Sequence, residues 1–560
     1  MEKRRVIFHS GVIAVLVVTV LAAYANVLDG QFVFDDSRIY NNPNLRITSL
    51  DWASLRQVVL KSEPVTRPVA NLSFALNYYL HGDALPGFHL FNVLVHLLTG
   101  VLLYGLVLDT LPLLPGLQSY RPAEPGGNTP YPWLAFLAVW LWLLHPLQTQ
   151  AVSYVVQRMS SLAAMFYLLS LWLYVRGRLR HDRASMLFYA GSVVAGLFAL
   201  GSKESSVTLP FFILLYEWYF LQNLRPDWLR RHLPAVALAA GVAILLGFFY
   251  LGGDPVARIL AGYDGRDFSL AQRLLTEARV LFFYLGLILF PAPGRLNLDH
   301  DFIVSTSLLQ PVTTLLAVAA LAGMVWLACR SARQHRLFSF ALIWFLGNLL
   351  VESSVIALEL VFEHRLYLPS MLLFAAAVTE IGRRLPPRWL RAGVATAVAL
   401  AMLLGFWTFE RNKVWHDRIS LWSDCAQKSP AKARPKNNLG VALKRAGRLP
   451  EAAEQFWAVI AIDPTFTEAY NNLANIMVDV GRGDEALRLY GKALELSPGN
   501  PAIHDNIGRL LLERRNYGRA MMHFAEVVRL QPDFPEAQAN LLFAQRMWRQ
   551  GASPLTAQDH

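Results

Sequence analysis

Long apolar runs alternate with short polar loops through the first three-quarters of the chain, and then the pattern changes. Runs of spanning length occupy residues 6–27, 88–112, 132–147, 158–176, 185–202, 206–222, 233–251, 308–328, 337–356, 366–382 and 390–409. A helix needs roughly 20 apolar residues to cross hydrocarbon, so these predict an all-α polytopic domain over residues 1–410. A further run at 272–292 is amphipathic at its start and broken by Pro291 and Pro293. It predicts an interfacial or re-entrant segment rather than a crossing.

After Trp407 the periodicity becomes that of a soluble repeat. Asn438-Leu-Gly440, Asn472-Leu-Ala474 and Asn506-Ile-Gly508 recur at intervals of 34 residues, and so do Ala452, Ala486 and Ala520. Phe456, Tyr490 and Phe524 keep the same register, as do Pro464, Pro498 and Pro532. This is the tetratricopeptide pattern of small and large residues on paired helices, with proline closing each unit. It predicts three repeats over 433–466, 467–500 and 501–534, with a capping helix completing the unit 433–549. A connector with a degenerate repeat at 411–432 precedes them, and a disordered tail at 550–560 follows. Asn438, Asn472, Asn506 and Asn540 occupy one position of successive first helices. Such a ladder of amides can donate to and accept from an extended backbone, so it is the candidate peptide-binding surface.

Composition agrees with a membrane protein carrying a soluble appendage: 54% of the 560 residues are apolar and 16% charged, with a mean hydropathy of +0.34. The net charge of +11 lies in short loops between apolar runs, the pattern that orients membrane proteins rather than one that binds nucleic acid. Arg176 to Arg183, Arg225 to Arg231, Arg330 to Arg336 and Arg383 to Arg391 mark inner loops, as does the Lys3-Arg-Arg5 start. Parity then requires eleven crossings, a cytoplasmic N-terminus and repeats on the outer side. The first run lacks a small-residue cleavage site and is expected to remain as a helix. Cys329 and Cys425 make neither a disulfide framework nor a metal site.

This topology gathers polar groups on the outer face. The loop 28–86 holds Asp35 and Asp36 in Gly30-Gln-Phe-Val-Phe-Asp-Asp36, then an amphipathic stretch from Leu50 to Lys61 with Trp52, Leu55 and Val59 on one face. Thr66-Arg-Pro68 and Gly87-Phe-His-Leu-Phe-Asn92 follow, and His89, Asn92 and His96 share a helical face. That spacing serves either helix packing or a site. His145-Pro146, Lys203-Glu204 and Glu363-His-Arg-Leu-Tyr-Leu-Pro369 fall on the same side. Polar groups at membrane depth are expensive and usually line a site.

In this order the motifs and the outer repeats resemble the transmembrane and tetratricopeptide-repeat-containing protein O-mannosyltransferases. These belong to the C-type glycosyltransferases, polytopic enzymes that use polyprenyl-phosphate sugars. The resemblance implies an acidic residue of the first outer loop as base, here Asp35 or Asp36. Better-known members carry Asp-Glu there, so the Asp-Asp pair leaves open which one acts. Basic composition, two cysteines and no retention signal favour a bacterial relative. The outer side is then the periplasm and the lipid undecaprenyl phosphate; in a eukaryote they are the endoplasmic reticulum lumen and dolichol.

The implied chemistry suits the residues. A Ser or Thr hydroxyl needs a positioned acceptor for its proton. The leaving phosphate needs cations and donors beside it but no acid. Arg365 leads for the phosphate, with Arg158, Lys203 and Arg67 behind it and His145, Glu204 and His89 as further donor-site candidates. A structural pairing of Arg365 with Glu363 or Glu204 is the alternative. No cofactor is required, and a divalent ion held by first-loop carboxylates stays open. Two other readings compete: an oligosaccharide ligase or polymerase, and a membrane-tethered scaffold in which both aspartates are dispensable.

Overall fold

The structure, a computed structural model, describes residues 2–115, 117, 130–234, 237, 241 and 254–551. The expected span 233–251 and the tail 550–560 lie largely outside these residues. The chain divides into two compact units, one up to Asp417 and one from Arg418 onwards.

Among the described residues the regular elements of the first unit are all helical. Among the described residues five helices are long and apolar enough to cross a membrane: Val6–Ala23, Leu85–Leu113, Val155–Leu179, Thr313–Ser331 and Pro387–Trp415. Three shorter apolar helices, Tyr131–Leu143, Ser185–Leu200 and Arg336–Leu349, accompany them. Two kinds of surface result. Trp142, Trp344, Tyr167 and Phe212 are fully buried where helices meet, whereas Leu316, Trp326, Met402 and Phe406 stand exposed on helices with little protein around them. Large apolar side chains are left outward where the surrounding solvent is lipid. Polar contacts join helices inside: Ser170 Oγ donates to the Ser192 carbonyl at 2.7 Å, and Ser192 Oγ returns the bond to Ser170 at 2.8 Å. Small residues of this kind let backbones approach closely in a bilayer.

Two segments are defined more closely. Residues Leu270–Leu289 form one continuous helix, started by a capping box between Ser269 and Gln272, with Pro291 and Pro293 beyond its end. The interfacial helix of the first loop runs Trp52–Lys61, with Asp51 accepting from Ser54 N at its N-terminus. Val58 is its buried residue, while Trp52 is 79% exposed. Leu55 and Val59 of the expected stripe are part-buried beside it, so the packing face overlaps that stripe and leaves Trp52 outward.

The second unit is a run of antiparallel helix pairs: Ala433–Arg445 with Leu449–Ile462, Thr467–Asp479 with Gly483–Leu496, and Pro501–Glu513 with Tyr517–Leu530. Helix Arg418–Lys428 precedes them and Pro535–Gly551 follows. The repeating positions are explained by packing. Ala452, Ala486 and Ala520 are wholly buried, and Phe456 and Phe524 pack against glycine on the partner helix. A Cβ added at Gly440 or Gly508 would stand 2.7 or 2.8 Å from those rings, so only glycine allows so close an approach there.

Candidate functional site

The aspartate pair sits on a tight turn. Val33 is extended, Phe34 takes a left-handed φ of 43°, and Phe34–Asp36 close a single 3-10 turn. A phenylalanine in that region is strained, and the turn is held by Asp36. Its Oδ2 accepts from Val33 N at 2.9 Å and its Oδ1 from Val156 N at 2.8 Å. Asp36 is fully buried, with each carboxylate oxygen accepting a backbone N–H. Asp35 differs. Its backbone N donates to the Tyr154 hydroxyl at 2.9 Å, while its side chain is a third exposed and lies 3.5 Å from Arg38. Tyr154 stacks on Trp415 at 5.3 Å between ring centroids. Burial, and after it the charges of Asp36 and Asp35, push its hydroxyl well above the ordinary tyrosine range.

Behind this turn lies Arg158, fully buried. Nε donates to Asn92 Oδ1 at 2.6 Å, Nη1 to the Ser73 carbonyl at 3.1 Å, and Nη2 to Asn77 Oδ1 at 2.6 Å and the Phe88 carbonyl at 3.0 Å. The guanidinium also lies over the rings of Phe74 and Phe91, at 4.6 and 4.4 Å. Of the shared helical face, Asn92 therefore serves Arg158, and His96 binds Tyr367 Oη and the Leu143 carbonyl. His89 is buried against Gly30 with neither ring nitrogen hydrogen-bonded. His145 caps the turn Pro146–Gln148 through Nδ1 and bonds the Ile288 carbonyl through Nε2.

The remaining charged candidates converge. Arg67 grips Glu204, with Nε at 2.9 Å from Oε2 and Nη2 at 2.8 Å from the same oxygen, and Thr66 Oγ1 donates to Oε1. Burial would raise the Glu204 pKa, but Arg67 and Thr66 together hold it below the usual glutamate value. Lys203 Nζ reaches Ser160 Oγ at 3.0 Å and Glu352 Oε1 at 2.6 Å. Arg365 Nε lies 3.8 Å from Glu352 Oε2, and its Nη1 donates to the Leu360 carbonyl. Arg365 thus faces Glu352, while Glu363 takes His300 at 2.9 Å and Asn297 N at 2.5 Å. Burial and the charges of Lys203, Arg365 and Arg67 keep the His364 ring far below its ordinary pKa. A small, partly open cavity of about 30 Å³ is lined in part by Ser160, Lys203, Glu352, His364 and Arg365.

Residues 154–160 tie the two groups together. Tyr154 and Val156 hold the aspartate turn, Met159 Sδ accepts from Arg67 Nη1, and Ser160 meets Lys203. Tyr154, Ser160 and Glu352 had not been singled out by sequence. Glu352 alone carried a usable signal, as a carboxylate inside the apolar run 337–356. The pair offers little to a divalent ion: each oxygen of Asp36 already accepts a backbone N–H, and Asp35 lies beside the Arg38 cation. Among the described residues no three His, Cys, Asp or Glu side chains gather as a ligand set.

Comparison with known proteins adds the family context. The Tetratricopeptide repeat family model matches residues 443–505 and 477–542. A protein O-mannosyl-transferase of Caenorhabditis elegans is 24% identical over 81% of this chain and 63% of its own length. One from Drosophila melanogaster is 25% identical, covering 80% of this chain and 54% of its own. Its curated homologues are protein O-mannosyl-transferases. A human protein O-mannosyl-transferase is 24% identical over 82% of this chain and 56% of its own length. The chain therefore spans roughly half to two-thirds of the length of the O-mannosyl-transferases it matches.

Proposed function

We propose that the protein is a membrane O-glycosyltransferase that moves a sugar, mannose by the names of its homologues, from a polyprenyl-phosphate donor to Ser or Thr hydroxyls of an acceptor polypeptide. The observation that carries this reading is the division of labour in the aspartate pair. Asp36 is consumed in shaping the turn, whereas Asp35 keeps a partly exposed carboxylate, and residues 154–160 run from this turn to the cation cluster.

In the reaction, the acceptor oxygen bonds to the anomeric carbon as the bond from that carbon to the phosphate oxygen breaks. The hydroxyl proton passes to Asp35, and polyprenyl phosphate leaves with the bonding electrons. Direct displacement inverts the anomeric centre, the logic of single-step sugar transfer. The leaving group is already an anion, so Arg365, Lys203 and Arg67 act on it as cations and donors. Arg158 and His145, whose donors are engaged within the fold, support the frame; His89 lies at the loop that carries the base. Eleven crossings, an inner N-terminus and outer repeats complete the arrangement.

The repeats hold the acceptor. Asn472 Nδ2 donates to Asn437 Oδ1 at 3.3 Å, and Asn506 Nδ2 to Asn471 Oδ1 at 2.9 Å. Asn472 and Asn506 thus each spend one donor on the repeat before and keep the side-chain carbonyl for a peptide N–H; Asn438 and Asn540 flank them. The test is transfer from a panel of polyprenyl-phosphate sugars to a Ser/Thr-rich polypeptide by purified protein, with the anomeric configuration of the product assigned by NMR. The reading expects one sugar to be transferred with inversion. No transfer from any donor, or retained configuration, would contradict it.

A further inference from the structure

The cation cluster already holds an anion, and it is part of the protein. The helix Arg336–Leu349 ends before Glu352, which lies in the turn beyond. Its Oε1 is 2.6 Å from Lys203 Nζ and its Oε2 3.8 Å from Arg365 Nε, while its carbonyl accepts from Arg273 Nη2 at 2.7 Å. Lys203 and Glu352 are each close to nine-tenths buried. Two cations brought this close in a buried place repel and are poorly solvated, so a carboxylate between them offsets much of the cost. What remains beside them is a small, partly open cavity of about 30 Å³, room for water between the side chains. The same wall presents His364 Nδ1, buried and without a hydrogen bond, and Ser160 Oγ beside Lys203.

We propose that Glu352 is a placeholder anion: with no donor bound it occupies the position between Lys203 and Arg365 that the phosphate of the lipid-linked donor takes. This rests on the donor-site reading given above. A phosphate offers two oxygens to the same two cations and accepts from Ser160 and, in its required tautomer, from His364. Its entry opens the cavity by turning the Glu352 side chain aside while the Arg273 bond to the backbone stays. The arrangement taxes affinity, because the phosphate must first displace the carboxylate. Glu352 is therefore a positioning residue, and its removal acts in an unusual direction. An ordinary structural glutamate, when neutralised, loosens the site and weakens binding. A placeholder, when neutralised, leaves the cations waiting.

The test measures binding of undecaprenyl monophosphate, without sugar, to the full chain in nanodiscs, for wild type, Glu352→Gln and Glu352→Asp. We expect Glu352→Gln to bind about tenfold more tightly, within the range of typical coupling between competing states. Glu352→Asp, whose shorter arm cannot span both cations, is expected to fall between the two. It keeps the proposal testable if the glutamine variant does not fold. Binding by wild type with equal or weaker binding by both variants would overturn the placeholder and leave the donor site standing. No binding by wild type or by either variant would overturn the donor site and the placeholder with it.

Discussion

At the scale of single residues, the aspartates look equivalent in sequence and are not. What separates them lies about 120 residues away, where Val156 N and the Tyr154 hydroxyl meet the turn. Asp36→Asn must give up an acceptor to a buried N–H, at a cost of about 1–3 kcal/mol, so a lowered melting temperature in detergent is expected. Arg158 makes a similar point. Its type suited phosphate binding, but its partners Asn77 and Asn92 leave it no free face. Arg158→Lys cannot reproduce a forked set of bonds and is expected to destabilise the fold by about 2 kcal/mol or more, read as a fall in melting temperature. Glu352 shows in sequence only as a lone carboxylate inside an apolar run, and its role becomes legible once Lys203 and Arg365 are seen on either side.

At the scale of elements, the repeats were the most legible part of the chain, because a 34-residue period fixes both the small and the large positions of each helix pair. Packing of Phe456 on Gly440 and Phe524 on Gly508 is the physical content of that period. The helix at 270–289 was less legible: its prolines lie beyond its end, and its buried Arg273–Glu277 pair is internal to one helix. One contact had no sequence signal. His504 Nδ1 and His523 Nδ1 lie 3.0 Å apart, with His504 Nε2 bonded to the Pro498 carbonyl. Burial first, then His504 and Arg519, lower the His523 pKa to about 4. The unfolded chain takes up this proton near pH ~6.5, so stability is full above that pH and declines as pH falls towards about 4. Amide exchange over Tyr517–Leu530, corrected for intrinsic rates, should accelerate between pH 7 and 5 in the full chain and do so less in His523→Gln, at pH values chosen around that ~6.5 reference.

At the scale of the whole molecule, hydropathy located the helices well and their sidedness only through loop charge, a property of insertion that the folded chain does not display. Sidedness can be measured directly. In a Cys329→Ser background Cys425 is buried, so introduced cysteines report cleanly. An impermeant maleimide applied to the outer side is expected to label Glu536→Cys in the last helix and to spare Arg333→Cys until the membrane is opened. The reverse pattern would put the repeats inside and separate them from the proposed acceptor. The central claim is that Asp35 carries the proton and Asp36 carries the turn. It is tested most directly by comparing Asp35→Asn with Asp36→Asn in one detergent preparation, following both sugar transfer and melting temperature. Asp35→Asn should lose transfer by about 10²-fold or more, as expected for a missing general base, while melting like wild type. Full transfer by Asp35→Asn would contradict the account.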